Sequence, residues 1–372
     1  MTERVLITGG AGFIGSHLAD RLLAGGRRVR VLDALLPQVH GTERDWPDDL
    51  AGDVERVRGD VRDADAVERA LANVDAVVHL AAAVGVGQSM YQVAHYTAVN
   101  NLGTAVLLDA LAKRPVRRLV VASSMSLYGE GLYADADGRR CTTAPRTEAQ
   151  LRARRWEAED ADGRPLRPLP TPEDKPAEPT SVYALSKLDQ ERLCLMLGET
   201  YRIPAVALRL FNVYGSRQSL SNPYTGVLAI FASRLLNGRP PLVFEDGGQR
   251  RDFVDVRDVA RAFELALDRP EAVGKALNVG GGADRCIADI ARLIAERLGR
   301  ADLSPEITGR FRSGDVRHCF ADLSRARDLL GYAPQISLEA GIDDLAVWLE
   351  GRAADDGAEH ARAELERKGL WL

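Results

Sequence analysis

The chain is 372 residues long, 45% hydrophobic, and carries a formal net charge of −5. It is long enough for one large or two moderate domains around a well-filled core, and it lacks the broad positive field that phosphate-backbone binding requires, so nucleic acid is not an expected partner. Residues 1–20 show no charged start ahead of a long apolar run, and no stretch approaches about 18 uninterrupted apolar residues, so neither export nor membrane insertion is expected and the chain reads as cytoplasmic.

The first 125 residues alternate short β-branched runs with helical patterns. Residues 5–8, 29–33, 76–80 and 119–122 read as strands; 13–24, 64–72 and a long stretch from about 91 to 113 read as helices. Strands buried on both faces appear as continuous apolar runs, so this rhythm predicts an α/β fold with a Rossmann-like, doubly wound parallel sheet. Between 129 and 180 the pattern dissolves into charges, Gly and Pro, and the run Arg164-Pro-Leu-Arg-Pro-Leu-Pro-Thr-Pro172 sustains neither a helix nor a central strand. A surface insertion of roughly 50 residues in a compact domain is more often functional or mobile than structural.

Helical order returns at 181–201, a strand follows at 205–210, and the last third mixes sheet segments with others that form a smaller cap. The expected organisation is a dinucleotide-binding domain over 1–212, interrupted at about 130–180, then a smaller C-terminal α/β substrate domain over 213–350 with segments returning to the sheet. The charged tail, 351–372, reads as a peripheral helix with a solvated face and no chemistry. Cys141, Cys194, Cys286 and Cys319 lie far apart with no C-x-x-C spacing, which predicts reduced thiols and no metal site.

Thr8-Gly-Gly-Ala-Gly-Phe-Ile-Gly15 is a G-x-x-G-x-x-G run directly after the first strand and opening the first helix. Gly9 allows the tight turn, Gly12 lets the backbone approach a pyrophosphate, and Gly15 permits close packing, with amides at the helix start holding the ligand. In a chain with 34 glycines chance alone yields roughly 0.3 such runs, so the position between strand and helix carries the inference. Asp33 ends the second strand, where a carboxylate accepts from the adenosine ribose hydroxyls and repels a 2′-phosphate, favouring NAD over NADP. Asp60, in Gly59-Asp-Val-Arg-Asp63, either meets the adenine amino group or caps a helix.

Tyr183-Ala-Leu-Ser-Lys187 sets a phenol and an ammonium one turn apart on one helical face. Only five of the 49 basic residues are lysines, so a lysine at this spacing carries weight. A free phenol titrates near pH 10, and making it basic near neutrality takes about three pKa units; the ammonium and a positive nicotinamide ring are the expected source. Ser124 closes a strand at the carboxyl edge of the sheet, where open α/β sheets bind ligands, and is placed to anchor a substrate hydroxyl beside that base.

Together with Asn100 in Val-Asn-Asn-Leu-Gly-Thr104, Ser124-Met-Ser-Leu-Tyr-Gly129, Arg209-Leu-Phe-Asn-Val-Tyr-Gly215, Arg251-Asp-Phe253 and Gly314-Asp-Val-Arg317, these motifs resemble the extended short-chain dehydrogenase/reductase family of nucleotide-sugar epimerases and dehydratases over residues 3–348. The resemblance implies a seven-stranded sheet holding NAD, a nucleoside diphosphate sugar as substrate, and a homodimer built through the helices near 91–113 and 181–201. It implies a catalytic set of Ser124, Tyr183 and Lys187. Cofactor contacts are implied at Gly9, Gly12, Phe13, Ile14, Gly15, Asp33, Asp60, Val61, Leu80, Ala81, Ala82, Asn100, Tyr183 and Lys187. Substrate contacts are implied at Ser124, Ser126, Asn212, Arg251 and Arg317.

Relatives in that family that dehydrate carry Asp then Glu after the Ser124 position, and those that decarboxylate a uronic acid carry Glu at the second. Here Met125 and Ser126 stand there. Elimination needs one group to take the proton beside the carbonyl and another to protonate the leaving hydroxide; a thioether and an unactivated hydroxyl do neither. A 4-epimerase needs only the base, the anchor, bound NAD and a roomy pocket, and is the expected activity. The runs Val84-Gly-Val-Gly-Gln-Ser89 and Ser221-Asn-Pro-Tyr-Thr-Gly226, with the insertion, are most similar to dTDP-L-rhamnose 4-epimerases; UDP-glucose and UDP-glucuronate stay open as substrates. The competing classes are a reductase using NADPH and a non-catalytic NAD-binding sensor.

Overall fold

Seven strands pair into one all-parallel sheet. In chain order they are β1 (Arg4–Thr8), β2 (Arg28–Asp33), β3 (Glu55–Arg58), β4 (Ala76–His79), β5 (Arg118–Ser124), β6 (Ala205–Leu210) and β7 (Ala276–Val279), and across the sheet they run β7-β6-β5-β4-β1-β2-β3. The order reverses beside β1, so a crevice opens at the carboxyl ends of β1 and β4, the switch point at which such sheets take ligands. The computed structural model describes residues 2–41, 45–143, 145–222, 224, 226–311, 315–352, 363, 364 and 366–368.

Among the helices that cover the sheet are α1 (Phe13–Ala24), α2 (Gly103–Lys113), α3 (Val182–Thr200) and α4 (Val256–Asp268). Leu18 and Leu22 of α1 share one buried cluster with Val259, Phe263 and Leu267 of α4; Leu107, Leu108 and Leu111 of α2 share another with Cys194 of α3 on the opposite face. Every residue of β5 is buried, as a sheet packed on both sides requires. A third cluster lies outside the sheet, where Tyr214, Phe231, Ile290, Ile294 and Ile342 pack together.

The helix expected over 91–113 is not uniform. Val93–Tyr96 is α-helical, Thr97–Leu102 widens into a π-helical turn, and α2 follows. Such bulges are frequent at functional sites, and this one carries Asn100, which is fully buried.

The insertion also departs from expectation, because it is built rather than loose. Leu132–Ala134 pairs antiparallel with both Arg140–Cys141 and Arg167–Leu169, and Pro168 falls on an edge strand, where a missing N–H is tolerated. The anchors are charges whose partners lie far away in sequence. Arg317, 1% exposed, donates to Glu157 at 2.6 Å, Glu245 at 2.9 Å and Asp246 at 2.7 Å. Arg146 meets Glu245 at 2.9 Å, and the Lys175 Nζ donates to the Tyr128 carbonyl at 2.8 Å. Burial alone would raise the Glu157 carboxyl, but hydrogen bonds from His318 and Arg317 outweigh it and hold the group at about 2. A carboxyl depressed in this way stabilises the fold above its ordinary value of 4.5, and that contribution is lost as pH falls toward about 2.

Among the described residues no helix is long and apolar enough to cross a membrane. Replacing Arg317 with Met leaves three carboxylates without their shared counter-charge, and loss of one partner from a buried ion network costs about 3 kcal/mol or more. Thermal denaturation of Arg317→Met is expected to show that loss, and limited proteolysis to cut first within residues 135–165.

Candidate active site

The glycine loop leads directly from β1 into α1. Gly9 has φ +70°, and a Cβ there would lie 2.8 Å from the Ala81 backbone. At Gly15 a Cβ would lie 2.5 Å from the Gly10 Cα, so the loop closes on itself only without side chains. Gly12 is the N-cap of α1 and no side chain caps the helix, which leaves its first-turn amides available to an anion. Gly9, Gly12, Phe13, Ile14 and Gly15 line one cavity of about 810 Å³.

The same cavity continues past Asp33, Asp60 and Val61 on one side and Leu80, Ala81 and Ala82 on the other. Asp33 accepts from the amides of Ala11 at 3.0 Å and Leu35 at 2.9 Å, tying its carboxylate to the loop it borders. Asp60 is paired with Arg62 at 2.6 Å; the cap of the following helix is Asp63, whose Oδ1 accepts from Asp65 and Ala66. A dinucleotide fits this donor set: free helix-start amides for the pyrophosphate and carboxylates at the ends of β2 and β3 for the ribose and base.

Ser124, Tyr183 and Lys187 line the far end of the cavity. Ser181 caps α3 through the Ala184 amide at 3.1 Å, and the Tyr183 amide donates to Ser89 at 3.0 Å, so the first turn of the helix is held at two points. The Tyr183 phenol shares a hydrogen bond with Ser124, which draws its pKa down, yet burial dominates and holds it above the ordinary value. Lys187 does not by itself bring the phenol below its ordinary value. The Lys187 Nζ donates to Gln190 Oε1 at 2.6 Å, and burial pushes the ammonium down to about 8 against the pull of Cys194 and Glu191.

Beneath this end lies an ion pair that the motifs did not reveal. Glu191 accepts from Arg209 at 2.7 and 2.9 Å and from Ser123 at 2.7 Å, and Arg209 reaches on to the Tyr128 hydroxyl at 2.8 Å.

Asn212 lines the cavity, and its buried Oδ1 has no partner. Four other residues expected at the site do not line it. Asn100 is consumed by pinning: it accepts from the Ala83 amide at 2.7 Å and donates to the Ala83 carbonyl and to Ser186. The Ser126 hydroxyl accepts from Ser124 at 3.0 Å. Arg251 donates to the carbonyls of Arg250, Val316 and Arg317, and Arg317 is saturated by its carboxylates.

Gly314 of the Gly314–Arg317 motif, Pro223 and Thr225 of the 221–226 run, and most of the tail lie outside the described residues. Glu364 of the tail accepts from Tyr91 and Tyr224 at 2.9 Å, and Tyr224 lines the cavity; a solvated face alone does not describe that segment. Phe211, Val213 and Gly85 also line the cavity. The signal for Phe211 and Val213 was their place just past the end of a predicted strand.

A family model described as the NAD dependent epimerase/dehydratase family matches residues 5–151 and 159–280. The chain belongs to that family. Its cofactor is NAD. A dTDP-L-rhamnose 4-epimerase from Burkholderia thailandensis is 40% identical over 93% of this chain and 95% of its own. A dTDP-glucose 4,6-dehydratase from an Actinoplanes species is 30% identical over 93% of this chain and 97% of its own. Among solved structures, a Thermus thermophilus UDP-glucose 4-epimerase in complex with NAD is 32% identical with TM-score 0.73, covering 94% of this chain and all of its own. The family match and the cradle agree on residues, since both include the Gly9–Gly15 loop.

Gly9→Ala forces an L side chain into a left-handed turn against the Ala81 backbone. The variant is expected to purify with little or no bound dinucleotide, read from the 260/280 nm absorbance ratio and from mass spectrometry of the released ligand, while the wild type carries it.

Proposed function

We propose that this family member is a nucleotide-sugar 4-epimerase: C4 of a nucleoside diphosphate sugar is oxidised to a ketone and the hydride is returned to the opposite face, with dTDP-L-rhamnose as substrate and dTDP-6-deoxy-L-talose as product. One observation carries the choice of reaction. Among the described residues that line the cavity the acidic ones are Asp33, Asp45, Asp49 and Asp60, all on the β2 and β3 side of β1, and the end that holds Tyr183 has none. Dehydration needs an acid and a base there.

In this reading Tyr183 takes the proton of the C4 hydroxyl and returns one, and Ser124, already bonded to the phenol, holds the sugar oxygen in line. Bound NAD supplies hydride acceptance and return. Lys187 contributes a positive charge that favours the phenolate. Asn212 offers its orphaned acceptor to the nucleotide sugar. The choice of sugar is supported by the 40% identical relative and by the apolar Val84, Phe211 and Val213 in the cavity wall, since a 6-deoxyhexose presents a methyl group where a hexose presents a hydroxymethyl. A homodimer through the helices near 91–113 and 181–201 is supported by exposed Val93, Leu102, Leu185 and Met196 on them.

The test is incubation of the purified enzyme, without added cofactor, with dTDP-L-rhamnose, UDP-glucose and UDP-glucuronate in turn, followed by NMR of the products. Inversion at C4 of the 6-deoxy sugar is the expected result; release of water or carbon dioxide, or inversion of a UDP-sugar alone, overturns the reaction or the substrate respectively. Tyr183→Phe is expected to lower kcat by about 100-fold or more, the range lost with a general base, while leaving NAD bound.

A further inference from the structure

We propose that Gln190 is the positioning residue of Lys187: its amide oxygen fixes the ammonium, and its amide nitrogen ties that position, through Thr104 and His79, to Thr8 at the head of the glycine loop. The inference rests on the reading of Lys187 as part of the catalytic set.

Gln190 stands one turn after Lys187 on α3 and is fully buried, as are Thr104 and Thr8. Among the described residues its Oε1 is the one hydrogen-bond acceptor of the Lys187 ammonium, at 2.6 Å. Its Nε2 donates to Thr104 Oγ1 at 2.8 Å and to the Ala81 carbonyl at 3.5 Å. His79 lies 2.9 Å from the same Thr104 oxygen through Nε2 and 2.7 Å from Thr8 Oγ1 through Nδ1.

Thr104 donates its own proton to the Asn100 carbonyl, so its oxygen accepts from Gln190. Gln190 Nε2 also lies 3.2 Å from His79 Nε2, so two tautomers close the chain: His79 with its proton on Nε2 donates to Thr104 and accepts from the Thr8 hydroxyl on Nδ1, and with its proton on Nδ1 it donates to Thr8 and accepts from Gln190 on Nε2. It is neutral, since burial, with Lys187 nearby, pushes it down to about 3. Thr8 in turn accepts from the Ala81 amide at 3.3 Å. The amide, the imidazole and the two hydroxyls are thereby satisfied, which makes the array rigid; it runs from the catalytic helix to the strand end that starts the phosphate cradle.

The charged and titratable groups facing Lys187 are few. On α3 they are Tyr183, Glu191 and Cys194. On β4 there is His79, and Glu191 is already engaged by Arg209 of β6 and Ser123 of β5. The α2 helix presents Thr104, which carries no charge. An apolar residue at 190 would leave the ammonium buried without its acceptor, and the charged form would lose ground to the neutral amine.

Lysine ¹³Cε NMR titration of the full chain reads this directly, because there are only five lysines and the Lys187 signal is assigned by its absence in Lys187→Met. In Gln190→Leu the Lys187 midpoint is expected about one pH unit below that of the wild type, the loss of a charge-assisted hydrogen bond. The alkaline limb of kcat should move down with it, kcat should fall about tenfold, and KM should change less than about twofold. Gln190→Glu keeps the acceptor and adds charge, so its midpoint and limb should move up. A Gln190→Leu protein with reduced Tm and activity but an unmoved Lys187 midpoint overturns the proposal. If that variant does not fold, an unmoved midpoint in Gln190→Glu overturns it equally. The titration needs no sugar, so a wild type inactive on every nucleotide sugar but showing these midpoints counts against the epimerase reading and not against Gln190.

Discussion

Glu191 of α3 and Arg209 of β6 meet in a two-pronged pair with both side chains almost inaccessible. Removing one partner of such a pair strands a charge in a low-dielectric interior. Ser123 at the end of β5 bonds the same carboxylate, and Arg209 extends to Tyr128 and to the Glu173 carbonyl of the insertion. One ion pair thus sets the register of α3 against the two strands whose ends lead to Ser124 and Asn212. With α3 held at its side, the phenol of Tyr183 and the hydroxyl of Ser124 come into hydrogen-bonding range.

Above that pair the site is economical in charge. The ammonium of Lys187 lines the cavity beside Tyr183, its neighbour His79 is neutral, and among the described residues the acidic side chains lining the cavity are confined to the β2 and β3 side. Among the described residues, carboxylates are in this way kept away from the end of the cavity that holds Tyr183. The phenol itself is held high by burial, and positive charge brought to it would lower it.

The insertion shows how local composition misleads. Gly, Pro and charge between 129 and 180 read as a loop because the residues that order it lie far along the chain: Glu245 pairs with Arg146, and Arg317, which binds Glu157, lies 160 positions beyond it. The same remoteness explains the arginines. Arg251 and Arg317 stand in motifs that invite a phosphate, yet carbonyls and carboxylates of the same chain take up their donors. A guanidinium satisfies whichever acceptor lies within reach, and reach is a property of the fold. Asn100 was found at the right place for a different task, since a π-helical turn aims its amide at the Ala83 backbone.

Sequence by itself determined the parallel sheet and the phosphate cradle, and it singled out the tyrosine, lysine and serine that the fold gathers along one cavity. These are short-range facts: strand periodicity, a glycine whose φ must be positive, two side chains one turn apart. Tertiary structure alone decided which charges are spent on one another, that Gln190 rather than the phenol receives the ammonium, and that the insertion forms a small three-stranded sheet. Hydrogen bonds and ion pairs between segments far apart in the chain depend on distances of a few ångströms, and no local pattern encodes those.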